Sequence, residues 1–268
     1  MIEIKNLSAG GGASAPVRQI QCKLNNGGVI GVLGERGAGK STLLALLAGS
    51  LLPREGTVRI NGFDTRREHE RVSSLVGYLP RGYEPDGAMT PMEFLLFAAD
   101  MHGVVYERAL RRVQDLLETV GLLSKRDLLI SRLSVGERRM LAVASTLIST
   151  PEFVILDTPM SGLGPRDAQR LREWILQMGE DATVIVSAHS LRDLDRVCTR
   201  AIILKNGTLV DVCEVAGEEF KKACTEALAK NAPVEREEET PKKKNRWRLL
   251  TASTEDVEII DDGQGGAR

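Results

Sequence analysis

"VIGVLGERGAGKSTLLALLAG", residues 29–49, joins an apolar run of strand character to a glycine-rich turn and then to a run of helix formers. The turn carries Gly34, four intervening residues, then Gly39, Lys40 and Ser41. Glycines at that spacing let successive backbone N–H groups curl around phosphate oxygens without Cβ clashes, and the helix N-terminus adds positive potential. Lys40 would neutralise terminal phosphates, and Ser41 would offer its hydroxyl to Mg²⁺. The bland alternative is a glycine-rich turn feeding a helix, but the complete pattern in strand-to-helix context favours a P-loop. The candidate nucleotide-binding residues are therefore Gly34, Glu35, Arg36, Gly37, Ala38, Gly39, Lys40, Ser41 and Thr42.

Downstream, the apolar run "FVIL" of residues 153–156 stops at one carboxylate, Asp157. Alone, a strand-end aspartate reads as a turn or cap residue. Beside a P-loop it reads as the carboxylate that holds Mg²⁺. Further runs, "TVIVSA" and "RAIILKNGTLV", alternate with helical patterns such as "RDAQRLREWILQM", as in a parallel α/β sheet. Before the P-loop, "VRQIQCKL" and, after it, "GTVRING" read as further β-like runs bounded by Gly and Asn turns. Residues from about 88 to 133 read almost wholly helical. Thr90, Pro91 and Glu93 form a capping box with proline at the first helical position, and Ala109, Leu110, Val113, Leu117 and Val120 share one face.

Composition excludes several classes. The chain has 268 residues, 42% hydrophobic, enough for a core of ordinary size in one large or two small domains. Lys and Arg number 36 against 37 Asp and Glu, a formal charge of -1, so no global basic field argues for nucleic acid or an anionic membrane surface. Cys22, Cys198, Cys213 and Cys224 lack zinc or disulfide spacing and fit a reducing, cytosolic setting. "MIEIKNL" lacks a signal pattern, and no apolar run approaches the roughly 18 residues of a spanning helix. Direct membrane insertion is not expected; any membrane would be crossed by another chain. His69 and His102 lack partners at metal spacing and read as surface residues. "EREEETPKKKNRWR", 235–248, reads as an internally neutralised linker rather than a nucleic-acid patch, and the rest of the tail as at most one small hairpin.

The remaining landmarks resemble those of ATP-binding cassette (ABC) proteins. "RLSVGERRMLAVASTLI", 132–148, is similar to the LSGGQ signature, with Ser134 and Gly136 where the family contacts a partner's γ-phosphate. "VSAHS", 186–190, resembles the histidine switch, "GYLP", 77–80, the approach to the Q-loop, and "SGLGP", 161–165, the D-loop. The resemblance covers residues 1 to about 213 and looks most like bacterial exporter-type cassettes of the multidrug and gliding-motility kind. It implies a P-loop NTPase fold of α/β class, with a RecA-like parallel sheet core, an antiparallel β subdomain and an inserted helical subdomain at about 82–140. Residues 1–213 would be the cassette and 214–268 a charged linker and tail. The implied cofactors are ATP and Mg²⁺, the latter held by Ser41 and Asp157. The implied partners are an integral membrane permease subunit and a second cassette, in a homo- or heterodimer at the cytoplasmic face of the membrane. His189 on its own reads rather as a helix-entry residue capping backbone groups; among these motifs it reads as the γ-phosphate switch.

Four positions depart from the family pattern. The glutamate that polarises the attacking water is replaced by Thr158, the Q-loop glutamine by Arg81 and the D-loop aspartate by Gly164, and no aromatic stands near the first strand to stack on adenine. A missing general base costs about 10²- to 10⁴-fold in rate. A guanidinium cannot ligate a cation but can pair with phosphate. A lost stacking partner costs roughly 1 to 3 kcal/mol by analogy with base stacking. The expectation is an ATP-binding subunit of an ABC transporter with impaired turnover. The alternatives are a non-hydrolysing regulatory pseudo-ATPase and a soluble, non-transport cassette.

Overall fold

Alternation of buried and exposed side chains builds the first sheet, and continuous apolar runs build the second. In the computed structural model, which describes residues 1–10, 16–194, 197, 198, 200–214, 222, 224 and 225, the chain opens with β1 (Ile2–Ala9) and β2 (Val17–Leu24). β3 (Val29–Leu33) leads through the P-loop into α1 (Lys40–Leu47), followed by β4 (Glu55–Ile60), β5 (Phe63–Asp64), α2 (His69–Leu75) and β6 (Val76–Leu79). The helical stretch is α3 (Pro91–Met101), α4 (Tyr106–Thr119) and α5 (Val135–Ser145). Then come β7 (Phe153–Leu156), α6 (Pro165–Asp181), β8 (Thr183–Ser187), α7 (Leu191–Leu194), β9 (Arg200–Lys205) and β10 (Thr208–Glu214).

Among the described residues the strands form two sheets, an antiparallel one ordered β2-β1-β4-β5 and a six-stranded one ordered β10-β9-β3-β8-β7-β6. In the latter, β9, β3, β8, β7 and β6 run parallel and only β10 is antiparallel. β7 shows why its sequence reads as an unbroken apolar run: Phe153 and Ile155 pack toward the antiparallel sheet and α1, while Val154 and Leu156 pack toward the helical layer. A strand covered on both faces has no polar side to show.

α3 begins at the capping box read from the sequence: the Glu93 N–H donates to Thr90 Oγ1 (3.2 Å) and the Thr90 N–H to Glu93 Oε2 (2.8 Å). α4 ends earlier than the helical reading of the sequence. Gly121, at φ +69°, closes it with a Schellman pair, Leu122 N–H to Leu117 O (2.7 Å) and Gly121 N–H to Glu118 O (2.9 Å). Two short 3₁₀ turns, Leu123–Lys125 and Ile130–Arg132, then replace the expected helix. Leu110, expected on the buried face, is only half-buried, and Leu116 is buried instead. Leu110 lies about 100° around the helix from Ala109, just beyond one rim of the buried stripe, whose opposite rim is Leu116. "RAIILKNGTLV" is two strands rather than one, because Asn206 (φ +50°) and Gly207 (φ +79°) both turn left-handed and fold β10 back on β9.

His69 and His102 are exposed. Residues 11–15, and the tail apart from 214, 222, 224 and 225, lie outside the described residues, as do the basic run and the hairpin expected there.

Candidate functional site

Parallel register brings four strand ends to one edge of the larger sheet, the edge where open α/β sheets bind ligands. Val32 pairs with Ser187, Leu156 with Val186, and Leu79 with Leu156. The residues that follow those ends are the P-loop after β3, Asp157 and Thr158 after β7, Ala188 and His189 after β8, and Pro80 and Arg81 after β6. Sequence positions more than a hundred residues apart thus become neighbours through hydrogen-bonded pairing alone.

The P-loop is pinned from both sides. Gly34 N–Cα lies at φ +155°, and a Cβ there would sit 2.3 Å from the Leu204 carbonyl oxygen. Gly39, the N-cap of α1 at φ +97°, would place a Cβ 2.0 Å from the Pro16 carbonyl oxygen. Lys40 is only 5% exposed, and its Nζ donates to the Gly34 (2.6 Å) and Glu35 (2.9 Å) carbonyls, so its ammonium is held across the loop. Burial, then the charge of Arg81, lowers its pKa against the opposing pull of Asp157. Ser41 and Thr42 follow on the first turn of α1, half-buried, whereas Glu35, Arg36 and Gly37 are exposed at the loop's crest and Ala38 is buried beneath it.

Asp157 is 1% exposed and held by a residue the sequence reading did not single out, Ser187. The Ser187 hydroxyl donates to Asp157 Oδ1 (2.6 Å) and accepts from the Thr158 N–H (2.9 Å), while the Asp157 N–H donates to Leu79 O (2.9 Å). A buried hydroxyl at the C-terminal end of β8, after three apolar residues, was the available signal. Asp157 Oδ2 and Thr158 Oγ1 are buried without a hydrogen-bond partner. An orphaned buried carboxylate oxygen is costly unless something binds it. Thr158 sits at φ +49°, a conformation β-branched residues rarely adopt.

His189 is exposed at the rim. Partial burial, then the charges of Lys40, Arg81 and Arg36, push its pKa below the ordinary histidine value, with Asp157 opposing. The imidazole is therefore neutral at neutral pH and can both donate and accept. Arg81 is exposed beside this group. Among the described residues, no group of His, Cys, Asp or Glu forms a self-sufficient metal site.

Ser134 and Gly136 belong to a different element, the start of α5. Ser134 caps it, with the Glu137 N–H donating to Ser134 Oγ (3.1 Å) and the Ser134 N–H to Glu137 Oε2 (2.9 Å). Burial pushes the Glu137 pKa up, but bonds from Lys125 (2.5 Å) and Ser134 outweigh it and the net direction is down. Glutamate thus does at position 137 the capping a glutamine would do. Gly136 is buried against α6: a Cβ would lie 2.1 Å from Asp167 Oδ2. Ser134→Ala removes the cap and lowers stability by about 1 kcal/mol, a melting shift of a few degrees readable by calorimetry.

Comparison with known proteins adds family context. Residues 17–161 match the ABC transporter family. The chain is 32% identical over 209 residues to the uncharacterized ABC transporter ATP-binding protein YxlF of Bacillus subtilis, covering 78% of this chain and 69% of that one. It is 30% identical over 199 residues to the ABC transporter ATP-binding protein NatA of the same organism, covering 72% and 80%. In fold it is similar to a dimeric ATP-binding cassette in a post-hydrolysis state bound to ADP and Pi, with TM-score 0.69, 21% identity, and coverage of 81% of this chain and all of that one.

Proposed function

The chain belongs to the ABC transporter family and is an ATP-binding subunit of an ABC transporter, and from that premise we propose that its own site grips Mg-ATP but turns it over slowly. The observation that carries this reading is the pair of buried, unpartnered oxygens at the end of β7, Asp157 Oδ2 and Thr158 Oγ1. One is a carboxylate with the chemistry to hold a cation; the other is a hydroxyl where the family has its general base.

Mg²⁺ fits the residues present, with the Asp157 Oδ2 carboxylate and the Ser41 hydroxyl as its protein ligands. Bound there, it would supply charge to phosphate oxygens. The chain's own residues do the rest. The P-loop N–H groups and Lys40 take the phosphate chain, with the α1 N-terminus favouring its negative charge. His189, neutral, donates a hydrogen bond to the terminal phosphate. Ser187 fixes the Asp157 carboxylate and the Thr158 backbone together. The Thr158 hydroxyl cannot accept a proton at neutral pH, so the attacking water is oriented without being activated.

Residues 1–213 form the cassette, with the helical subdomain at about 82–140. Its donor edge is better preserved than its acceptor site: Ser134 and Gly136 open α5, whose N-terminal N–H groups face a phosphate supplied by another cassette. Members of this family dimerise and work with membrane permeases. For this chain the productive partner is a second cassette with complete motifs, whose site the Ser134 and Gly136 edge completes. Self-association on ATP with turnover on the order of 1 s⁻¹ or faster by the purified chain contradicts that arrangement.

Coupling to the permease uses a groove of about 240 Å³ between β6, the following loop, α3 and α5. Tyr83, Phe94, Phe97 and Met101 line it, and Phe97 and Met101 are 52% and 70% exposed. Apolar side chains left open to water in a groove suit an amphipathic helix. Among the described residues no helix is long and apolar enough to cross a membrane, so the permease brings the subunit to the cytoplasmic face. Phe97→Glu reduces co-purification of a polytopic membrane protein at least tenfold from native membranes while leaving ATP binding unchanged.

A further inference from the structure

Arg81 and Thr158 stand at the ends of neighbouring strands, β6 and β7, which the Asp157 N–H to Leu79 O bond ties together at 2.9 Å. Against the family pattern, a neutral glutamine has become a cation and an anionic glutamate has become a neutral hydroxyl. Each change makes the phosphate pocket more positive by one charge, and together they add the charge of one Mg²⁺. The other charged groups around the pocket are Lys40 beneath the loop, Arg36 and Glu35 on its crest, and Asp157 at the strand end.

The added cation is available. Arg81 is exposed, and no described carboxylate lies within ion-pair distance of it. Its charge acts on both Lys40 and His189, titratable groups of the pocket that follow β3 and β8. A guanidinium is a poor neighbour for a metal ion and a good bidentate partner for phosphate oxygens. We propose that Arg81 is a fixed cation standing in for part of the metal's role, so that this site binds the triphosphate of metal-free ATP as well as Mg-ATP. The inference rests on the reading of this pocket as an ATP site. It names the ligand form the site takes, a nucleoside triphosphate with Mg²⁺ dispensable for binding though not for chemistry.

The test is equilibrium binding of ATP to the purified full chain by calorimetry, in excess Mg²⁺ and in excess EDTA, for wild type and Arg81→Gln. Wild type is expected to bind within threefold under the two conditions. Arg81→Gln is expected to lose at least tenfold more affinity in EDTA than in Mg²⁺. Arg81 is exposed and takes part in no described ion pair, so an unchanged melting temperature accompanies this result. Equal affinity of the two proteins in EDTA overturns the proposal. So does an equal loss in both conditions, which makes Arg81 an ordinary phosphate contact. Absence of wild-type binding in both conditions instead overturns the ATP-site reading on which the proposal stands.

Discussion

Thr158→Glu raises steady-state phosphate release at least tenfold, and Thr158→Gln leaves it unchanged. The backbone at this position is already fixed: Asp157 N–H bonds Leu79 O, Thr158 N–H bonds Ser187 Oγ, and Ser161 N–H bonds Thr158 O at 3.1 Å. A longer side chain therefore grows from a set point beside the Asp157 carboxylate, where the family has its general base. Threonine is also poorly suited to the left-handed φ of +49°, so glutamate, which is not β-branched, relieves strain rather than adding it. A positioned general base contributes about 10²- to 10⁴-fold. The lower end is expected, because Arg81 remains where the family has glutamine. Glutamine at 158 has the reach without the basicity, so acceleration by both variants would assign the effect to packing.

Gly39→Ala abolishes measurable ATP binding and lowers the melting temperature more than Gly37→Ala does. Both positions lie at positive φ, +97° and +84°, so both substitutions incur the left-handed penalty of about 1–2 kcal/mol. Only Gly39 also faces backbone: its new Cβ would fall 2.0 Å from Pro16 O, whereas nothing lies within 4 Å at Gly37. Pro16 cannot easily retreat. The next strand is tied down by Arg18 N–H to Gly207 O (2.7 Å), and Gly207 N–H in turn bonds Ala38 O (3.2 Å), closing a ring around the loop. The strain is thus delivered to the P-loop and to the first turn of α1. Equal melting shifts for the two variants, measured by calorimetry, would contradict this account.

The parts of the site legible in the sequence are those whose chemistry is local. Gly34, Gly39, Lys40 and Ser41 announce themselves within one turn, and the Thr90 and Glu93 box marks a helix start in four residues. Asp157 was legible only because the P-loop gave a strand-end carboxylate something to hold. Ser187 was not, because a serine ending a strand acquires meaning only when parallel pairing sets it beside Asp157, thirty residues away. The packing of Asp167 on Gly136 was hidden for the same reason, since it joins two helices whose approach no local pattern encodes. β1 escaped because Ile2 and Ile4 alternate only briefly before the strand's register shifts between Ile4 and Leu7, where Asn6 turns to φ +47°. The misplacement of Leu110 arose at the rim of a helical stripe, where periodicity separates faces least sharply.

The separation of gripping from turnover is read in one experiment on the unmodified chain: nucleotide occupancy and phosphate release recorded on the same sample with saturating Mg-ATP. Near-stoichiometric bound nucleotide is expected, with release far below the roughly 1 s⁻¹ at which ordinary enzymes begin. Full occupancy with release at or above about 1 s⁻¹ would contradict it, and would mean that a group other than residue 158 activates the water.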